Sequence, residues 1–97
     1  MSRNGKDAVV EAEKGIKIIV DGTPRIVSSD DLSPGDEISY EQVLAFYDKP
    51  IPSGPYIDVE VDYVNSLERP PNDSLSEGEK VKIQEGTVFY VHVTDRS

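Results

Sequence analysis

The chain has 97 residues and a formal charge of −9 at pH 7, from 10 basic and 19 acidic side chains. That length suits a single small domain with a thin core rather than a deep catalytic cleft. It holds no cysteine and a single histidine, which excludes disulfides, thiolate metal sites and a histidine-cluster zinc site. The negative charge repels phosphate backbones and anionic lipid, so we expect neither nucleic acid nor membrane as a partner, but a basic protein surface.

We expect no targeting signal in the N-terminal segment. It lacks the apolar stretch of a secretory leader, and no window of the sequence approaches the ~18 apolar residues of a membrane span. We therefore expect a cytoplasmic protein. Residues 1–14 mix charged and small side chains without a sustained period, which predicts a flexible acidic and polar tail. The folded domain is expected over residues 15–97.

The domain opens with a predicted hairpin. From Ile16 to Val20 the residues alternate as in a strand with one buried face, and Arg25 to Ser28 returns as a second strand. The turn Asp21-Gly22-Thr23-Pro24 joins them, since glycine readily takes positive φ. A polar loop, 29–37, follows.

A short helix is predicted between Ile38 and Tyr47. Ser39 precedes Gln42 by three residues, which is the spacing of a capping box, and Ile38 and Val43 stand at the positions of a hydrophobic staple. Behind the cap, one stripe of the helix is apolar: Tyr40, Val43, Leu44 and Tyr47. Pro50 and Pro52 end it.

Three further strands follow the helix in the prediction. Residues 56–64 alternate throughout, with Asp58, Glu60 and Asp62 on the face opposite the apolar residues. A long proline- and serine-rich connection, 65–78, leads to a strand around Val81 and Ile83. Thr87 to Thr94 forms the last strand. The order β–β–α–β–β–β predicts one mixed sheet with one helix packed across one face, an α+β fold of the β-grasp type. A small β-barrel is the structural alternative. The capping box and hydrophobic staple disfavour it, because they indicate a helix that packs against the rest of the fold. The expected core includes Ile18, Val43, Leu44, Val59 and Phe89.

Several stretches carry a more specific resemblance. Residues 18–22, 38–43, 74–83 and 85–97 resemble, in order and spacing, successive parts of the bacterial multiubiquitin-domain family. The resemblance covers residues 15–97. It implies a ubiquitin-like modifier that acts with an E1-like activating enzyme, an E2-like conjugating protein and a deconjugating or processing protease.

The expected conjugation site is the C-terminal tail: Thr94, Asp95, Arg96 and Ser97. The tail departs from ubiquitin because it lacks the diglycine, whose missing side chains suit a narrow adenylation channel. Three outcomes stay open. The partner enzymes accept this tail, a protease trims it, or no conjugation occurs.

The outer face of the sheet is the expected partner-binding surface. If Ile18 and Phe89 face the helix, the alternate residues of the first and last strands face away from it, forming an apolar centre beside a charged rim. This expected surface comprises Ile19, Val88, Tyr90 and His92 with Asp58, Glu60 and Asp62.

Catalytic, metal and cofactor sites are not expected. His92 has no nucleophile elbow, phosphate cradle or acid partner near it in sequence, so we predict a protein that is not an enzyme. Asp58, Glu60 and Asp62 match the opening of a calcium loop, but that loop needs glycine and glutamate where Tyr63 and Arg69 stand.

Three functions therefore remain. The first is a conjugated ubiquitin-like modifier. The second is a non-conjugated protein-binding or self-associating β-grasp module, which the missing diglycine favours. The third is a β-grasp sulfur carrier, which the same missing glycines weaken.

Overall fold

The computed structural model describes residues 15–96, so the predicted tail 1–14 and Ser97 lie outside the described residues. The strands are β1 (Gly15–Val20), β2 (Thr23–Ser28), β3 (Glu37–Ser39), β4 (Ile57–Val64), β5 (Asp73–Leu75), β6 (Lys80–Lys82) and β7 (Thr87–Asp95). One α-helix, α1 (Tyr40–Phe46), follows β3 directly, and a 3₁₀ turn occupies Ser29–Asp31.

The main sheet has five strands in the order β2-β1-β7-β4-β5. β1 and β7 are parallel, while β2 runs antiparallel to β1, and β4 is antiparallel to both β7 and β5. With one helix against the inner face, this mixed sheet is the predicted α+β arrangement of β-grasp type. The first and last strands lie side by side at its centre, as expected.

The first turn is tighter than the sequence suggested. The hairpin loop consists of Asp21 and Gly22 alone, both at positive φ (52° and 88°). Such a two-residue loop follows the right-handed twist of the flanking strands, and aspartate and glycine tolerate its backbone best. Thr23 and Pro24 consequently belong to β2 and not to the turn.

The prediction of a single sheet was wrong. β6 leaves the main sheet and pairs with β3 in a separate two-stranded sheet, where Ile38 stands opposite Val81. The helix begins at Tyr40, directly after the predicted N-cap Ser39, but the prediction did not include the short strand β3 that Ile38 and Ser39 form before it. β5 lies within the stretch predicted to be an irregular connection. Strands of three residues show too few alternations to be recognised in a sequence.

The core lies between the inner sheet face, the helix and the small sheet. Ile18, Val43 and Phe89 are fully buried there, as predicted, and the Phe89 ring packs against Tyr63 with centroids 6.3 Å apart. Leu44 and Val59 were expected in the core but are only partly buried against it. The capping box forms as predicted: the Gln42 backbone N–H donates to Ser39 Oγ (3.1 Å), and the Ser39 N–H donates to Gln42 Oε1 (2.8 Å).

Candidate functional site

The strand register brings the predicted apolar residues together on the outer sheet face. Ile19 of β1 stands opposite Val88 of β7, and Val88 stands opposite Val64 of β4. Tyr90 follows Val88 on the same face and is 43% exposed. The outer apolar patch, as the structure defines it, consists of Ile19, Ile26, Val64, Val88 and Tyr90.

Sequence reasoning missed two members of this patch. Ile26 of β2 lies opposite Lys17 and therefore on the outer face, where it is 62% exposed. Val64 was predicted to end its strand, but it was not predicted to belong to the outer binding surface. The signal for both was the alternation of their strands, but their neighbours become known only once the strand order and register are known.

An acidic rim (Asp58, Glu60 and Asp62) borders the patch along β4. In the register with β7, Asp62 stands opposite Tyr90 and Glu60 opposite His92. Asp62 is engaged: its Oδ2 lies 3.5 Å from His92 Nε2, and its Oδ1 accepts a hydrogen bond from Ser74 Oγ (3.0 Å). The predicted binding residues thus lie on one continuous face.

The acids of this rim are spread along an extended strand. Their spacing turns the carboxylates outward in a row rather than around a common point. Within residues 15–96, no three histidine, aspartate or glutamate side chains are placed to hold a metal ion together. What the rim offers chemically is a strip of negative charge beside an apolar surface.

The C-terminal residues are held more firmly than a tail would be. Thr94 and Asp95 belong to β7, opposite Asp58 and Ile57. The backbone N–H of Arg96 donates to the Tyr56 carbonyl (2.8 Å), and its Nε donates to Asp58 Oδ2 (2.6 Å). The last strand thus extends one residue past its predicted end at Thr94, and the backbone bond from Arg96 to Tyr56 continues the pairing just before β4.

A polar network at the opposite end of β7 was also missed by sequence reasoning. The fully buried Thr87 places its Oγ1 2.9 Å from the Asn65 carbonyl oxygen and 3.0 Å from that of Gln84, and accepts from the Gln84 N–H (3.0 Å). The Asn65 side chain in turn donates to the Gly86 carbonyl (3.3 Å). This network fixes the start of β7, and with it the position of Val88 in the outer patch.

Two tyrosines, Tyr40 and Tyr63, have raised pKa values. Burial, followed by the nearby carboxylates of Glu77 and Glu41, raises the pKa of Tyr40 above its ordinary value. Burial also raises the pKa of Tyr63, with Asp73 as the largest charge contribution. Both phenols lie on the inner side of the fold and stay neutral at physiological pH, so neither contributes to the outer patch.

Comparison with family models, curated proteins and solved structures finds no match to this chain. In the part of the chain that the structure describes, no helix has the length and apolar character needed to cross a membrane.

Proposed function

We propose that this chain is a ubiquitin-like protein modifier of the multiubiquitin kind, attached to targets through its C-terminal carboxyl. The observation that supports it is the β-grasp sheet, in which the last strand is central and leads its final residues out at one end. The sequence resemblance over residues 15–97 supports the same function. The partners are an E1-like activating enzyme, an E2-like conjugating protein and a processing protease, in a bacterial cytoplasm.

The chemistry requires only the terminal carboxylate of this chain. An oxygen of that carboxylate attacks the α-phosphorus of ATP, which forms an acyl-adenylate and releases pyrophosphate. A thiol or amine then attacks the acyl carbon and AMP leaves, giving a thioester or an amide. The domain supplies recognition and presents the carboxylate, while the partner enzymes supply the catalytic groups.

The position of Arg96 limits how the C-terminal carboxyl can reach an activating enzyme. Arg96 is tied to Tyr56 and Asp58, so the chain is held against the sheet as far as Arg96. The activating enzyme must therefore accept the arginine side chain close to the domain, or draw the end of β7 away from β4. The ion pair of Arg96 with Asp58 is exposed on both sides, so its release costs little, about 1 kcal/mol at most.

Conjugation is tested by incubating the full chain with ATP and the E1-like and E2-like proteins of the same genome. We expect pyrophosphate exchange and adducts that mass spectrometry maps to the C-terminal carboxyl. The matched control is the same chain made with a C-terminal carboxamide, which keeps every strand but cannot be adenylated. Adducts that persist with the carboxamide in the absence of protease, or no adduct with active enzymes, would reject the modifier.

The second candidate is a binding module that uses the outer patch without covalent chemistry. The exposure of Ile26 and Tyr90 on either side of Ile19 and Val88 favours it, because an apolar centre with a charged border is typical of protein interfaces. Its partner would be a basic protein or a second copy of the chain.

Substitution of Tyr90 by glutamate tests the patch. Exposed aromatic residues near an interface centre carry much of the binding energy, so we expect Tyr90→Glu to abolish partner binding or self-association while the unfolding midpoint is kept. Leu67→Glu is the matched control, since Leu67 is an exposed apolar residue in the loop after β4, where its backbone N–H donates to Lys82 of the small sheet and not to the main sheet. Equal binding by wild type and Tyr90→Glu removes the outer patch from the function.

A further inference from the structure

β4 is paired unequally along its two edges. On one side it pairs with β7 along its whole length, from Ile57 to Val64. On the other side β5 covers only Val61 to Tyr63, because the chain turns away after Leu75. Across residues 15–96, no strand pairs with the first half of β4 on this side. We call this half the open edge, residues 57–60.

The alternation of hydrogen bonds identifies which backbone groups the open edge presents. Arg96 donates to Tyr56, so the even-numbered residues of β4 direct their backbone groups toward β7. The odd-numbered residues direct theirs to the other side. There the Ile57 N–H donates to the Gly54 carbonyl (3.3 Å). The N–H and C=O of Val59 and the C=O of Ile57 remain along the edge.

The side chains at the open edge divide by charge. Asp58 and Glu60 are exposed on the outer side; Asp58 is paired with Arg96, whereas Glu60 has neither hydrogen bond nor ion pair with any residue from 15 to 96 and is the carboxylate available to a partner. Ile57 and Val59 point inward and are only half-buried. At the Ile57 end, a shallow cavity of about 200 Å³ is lined by residues 53–57 and Asp95.

We propose that the open edge binds an extended peptide segment of another protein in which basic and apolar residues alternate. The segment adds as a further strand beside the first half of β4. Its backbone exchanges hydrogen bonds with Val59, its basic side chains stand beside Asp58 and Glu60, and its apolar side chains cover Val59 and enter the cavity. This binding does not depend on conjugation or on the outer patch.

Charge selects this occupant over a second copy of the chain. Two open edges brought together would place the carboxylates of Asp58 and Glu60 against those of the other copy, and like charges directly opposite destabilise a strand pair. Charged side chains of this kind also keep exposed edges from associating with one another. A segment with lysine or arginine at alternate positions turns the same charges into attraction.

The probe for this site is a capped peptide of alternating lysine and valine, titrated into the full chain and followed by amide NMR. We expect the Val59 amide signal to shift with the added peptide. Its hydrogen exchange should slow about tenfold when nine-tenths of the chain is bound, since only the free fraction then exchanges. The same peptide with N-methylated valines cannot form the backbone bonds and should bind far more weakly.

Two charge-reversed variants separate this site from general attraction to an acidic protein. Glu60→Lys should weaken peptide binding by roughly fivefold, because an opposite-charge cross-strand pair becomes a like-charge pair. Asp30→Lys makes the same change in net charge next to β2, at the far edge of the sheet, and should leave binding within about twofold.

Three results would overturn the proposal. The first is a Val59 amide already protected from exchange without peptide, which would mean that residues 1–14 or a second copy occupy the edge. The second is equal weakening by Glu60→Lys and Asp30→Lys. The third is peptide-induced shifts confined to the outer patch.

Discussion

Thr87 is a fully buried polar residue that ties the start of β7 to Asn65 and Gln84. Its buried hydroxyl lies between Asn65 and Gln84, so removing it leaves the Gln84 N–H and the Asn65 carbonyl without that partner. We expect Thr87→Val to lower the free energy of unfolding by about 1–3 kcal/mol, the usual cost of leaving buried polar groups unsatisfied. Urea unfolding monitored by circular dichroism measures this.

The control for Thr87 lies on the same strand. Thr94→Val makes the same chemical change at an exposed position of β7 and should shift stability by no more than about 0.5 kcal/mol. If the two variants unfold alike, the network around Thr87 contributes nothing and solvent satisfies those groups.

Tyr63 provides a prediction of pH dependence. Burial raises its pKa in the folded chain above the unfolded value of 10.0. The folded state therefore holds the phenol proton more tightly, and the stability it contributes is complete below pH 10 and is lost as pH rises through the folded pKa. We expect Tyr63→Phe to leave stability nearly unchanged at pH 7 and to reduce the loss above pH 10.

Unfolding curves from pH 7 to 11 measure this effect, with Tyr56→Phe as the control because Tyr56 is exposed. A wild-type chain and a Tyr63→Phe variant with the same loss of stability across this range would contradict it. The remaining alkaline sensitivity should then be sought at Tyr40, whose pKa burial also raises.

The helix is the element that the sequence specified best. Its cap depends on local spacing, which a sequence displays directly, and both hydrogen bonds of the box form. We expect Ser39→Ala to destabilise the chain by about 1 kcal/mol. Thermal unfolding detects that change, and Ser53→Ala, at an exposed loop serine, should leave the melting temperature unaltered.

The packing of this helix was predicted less well. Leu44 is only partly buried, so Leu44→Ala should fall below the roughly 2–5 kcal/mol typical of a fully buried leucine. Ile38, which is fully buried at the staple position, should show that full cost on replacement by alanine. Denaturant unfolding of both variants ranks them, and a larger loss at Leu44 would show that the helix packs more tightly than described.

The short strands show where sequence reasoning fails at this scale. β3, β5 and β6 each have three residues, so their pattern cannot be told from a loop that contains one apolar side chain. Ile38 was predicted to precede the helix and Val81 to enter the main sheet, yet the two face each other. That pairing joins residues far apart in sequence and leaves no local signal.

At the scale of the whole molecule, the sheet faces could be predicted and the end of the chain could not. The long alternating runs in β1, β4 and β7 fixed which residues point inward, so Phe89 and Tyr90 lie on the sides expected of them. The pairing of Arg96 with Tyr56 depends on how far β4 extends beside β7, which only the register reveals. The sequence therefore predicted which residues share the outer sheet face of the candidate site, but not how the C-terminal residues pair with the neighbouring strand.

The first residues of the chain give a prediction for the whole molecule that rests on sequence alone, since they lie outside the described residues. Without a periodic apolar pattern there, deletion of residues 1–13 should leave the urea midpoint unchanged. A matched measurement at low and high salt separates docking from charge effects. A lower midpoint at both salt concentrations would show that this segment packs on the domain.

The parallel pairing of β1 with β7 also determines how the domain resists mechanical load. A force that draws Gly15 and Asp95 apart acts along both strands, so the ladder between Ile18–Val20 and Thr87–Phe89 is sheared and its hydrogen bonds bear the load together. A force applied across the β1–β2 hairpin instead opens that ladder one pair at a time. An unfolding motor that pulls on Gly15 and Asp95 therefore loads the β1–β7 ladder in shear, while one that separates Gly15 from Ser28, at the open end of the hairpin, breaks the β1–β2 ladder one pair at a time.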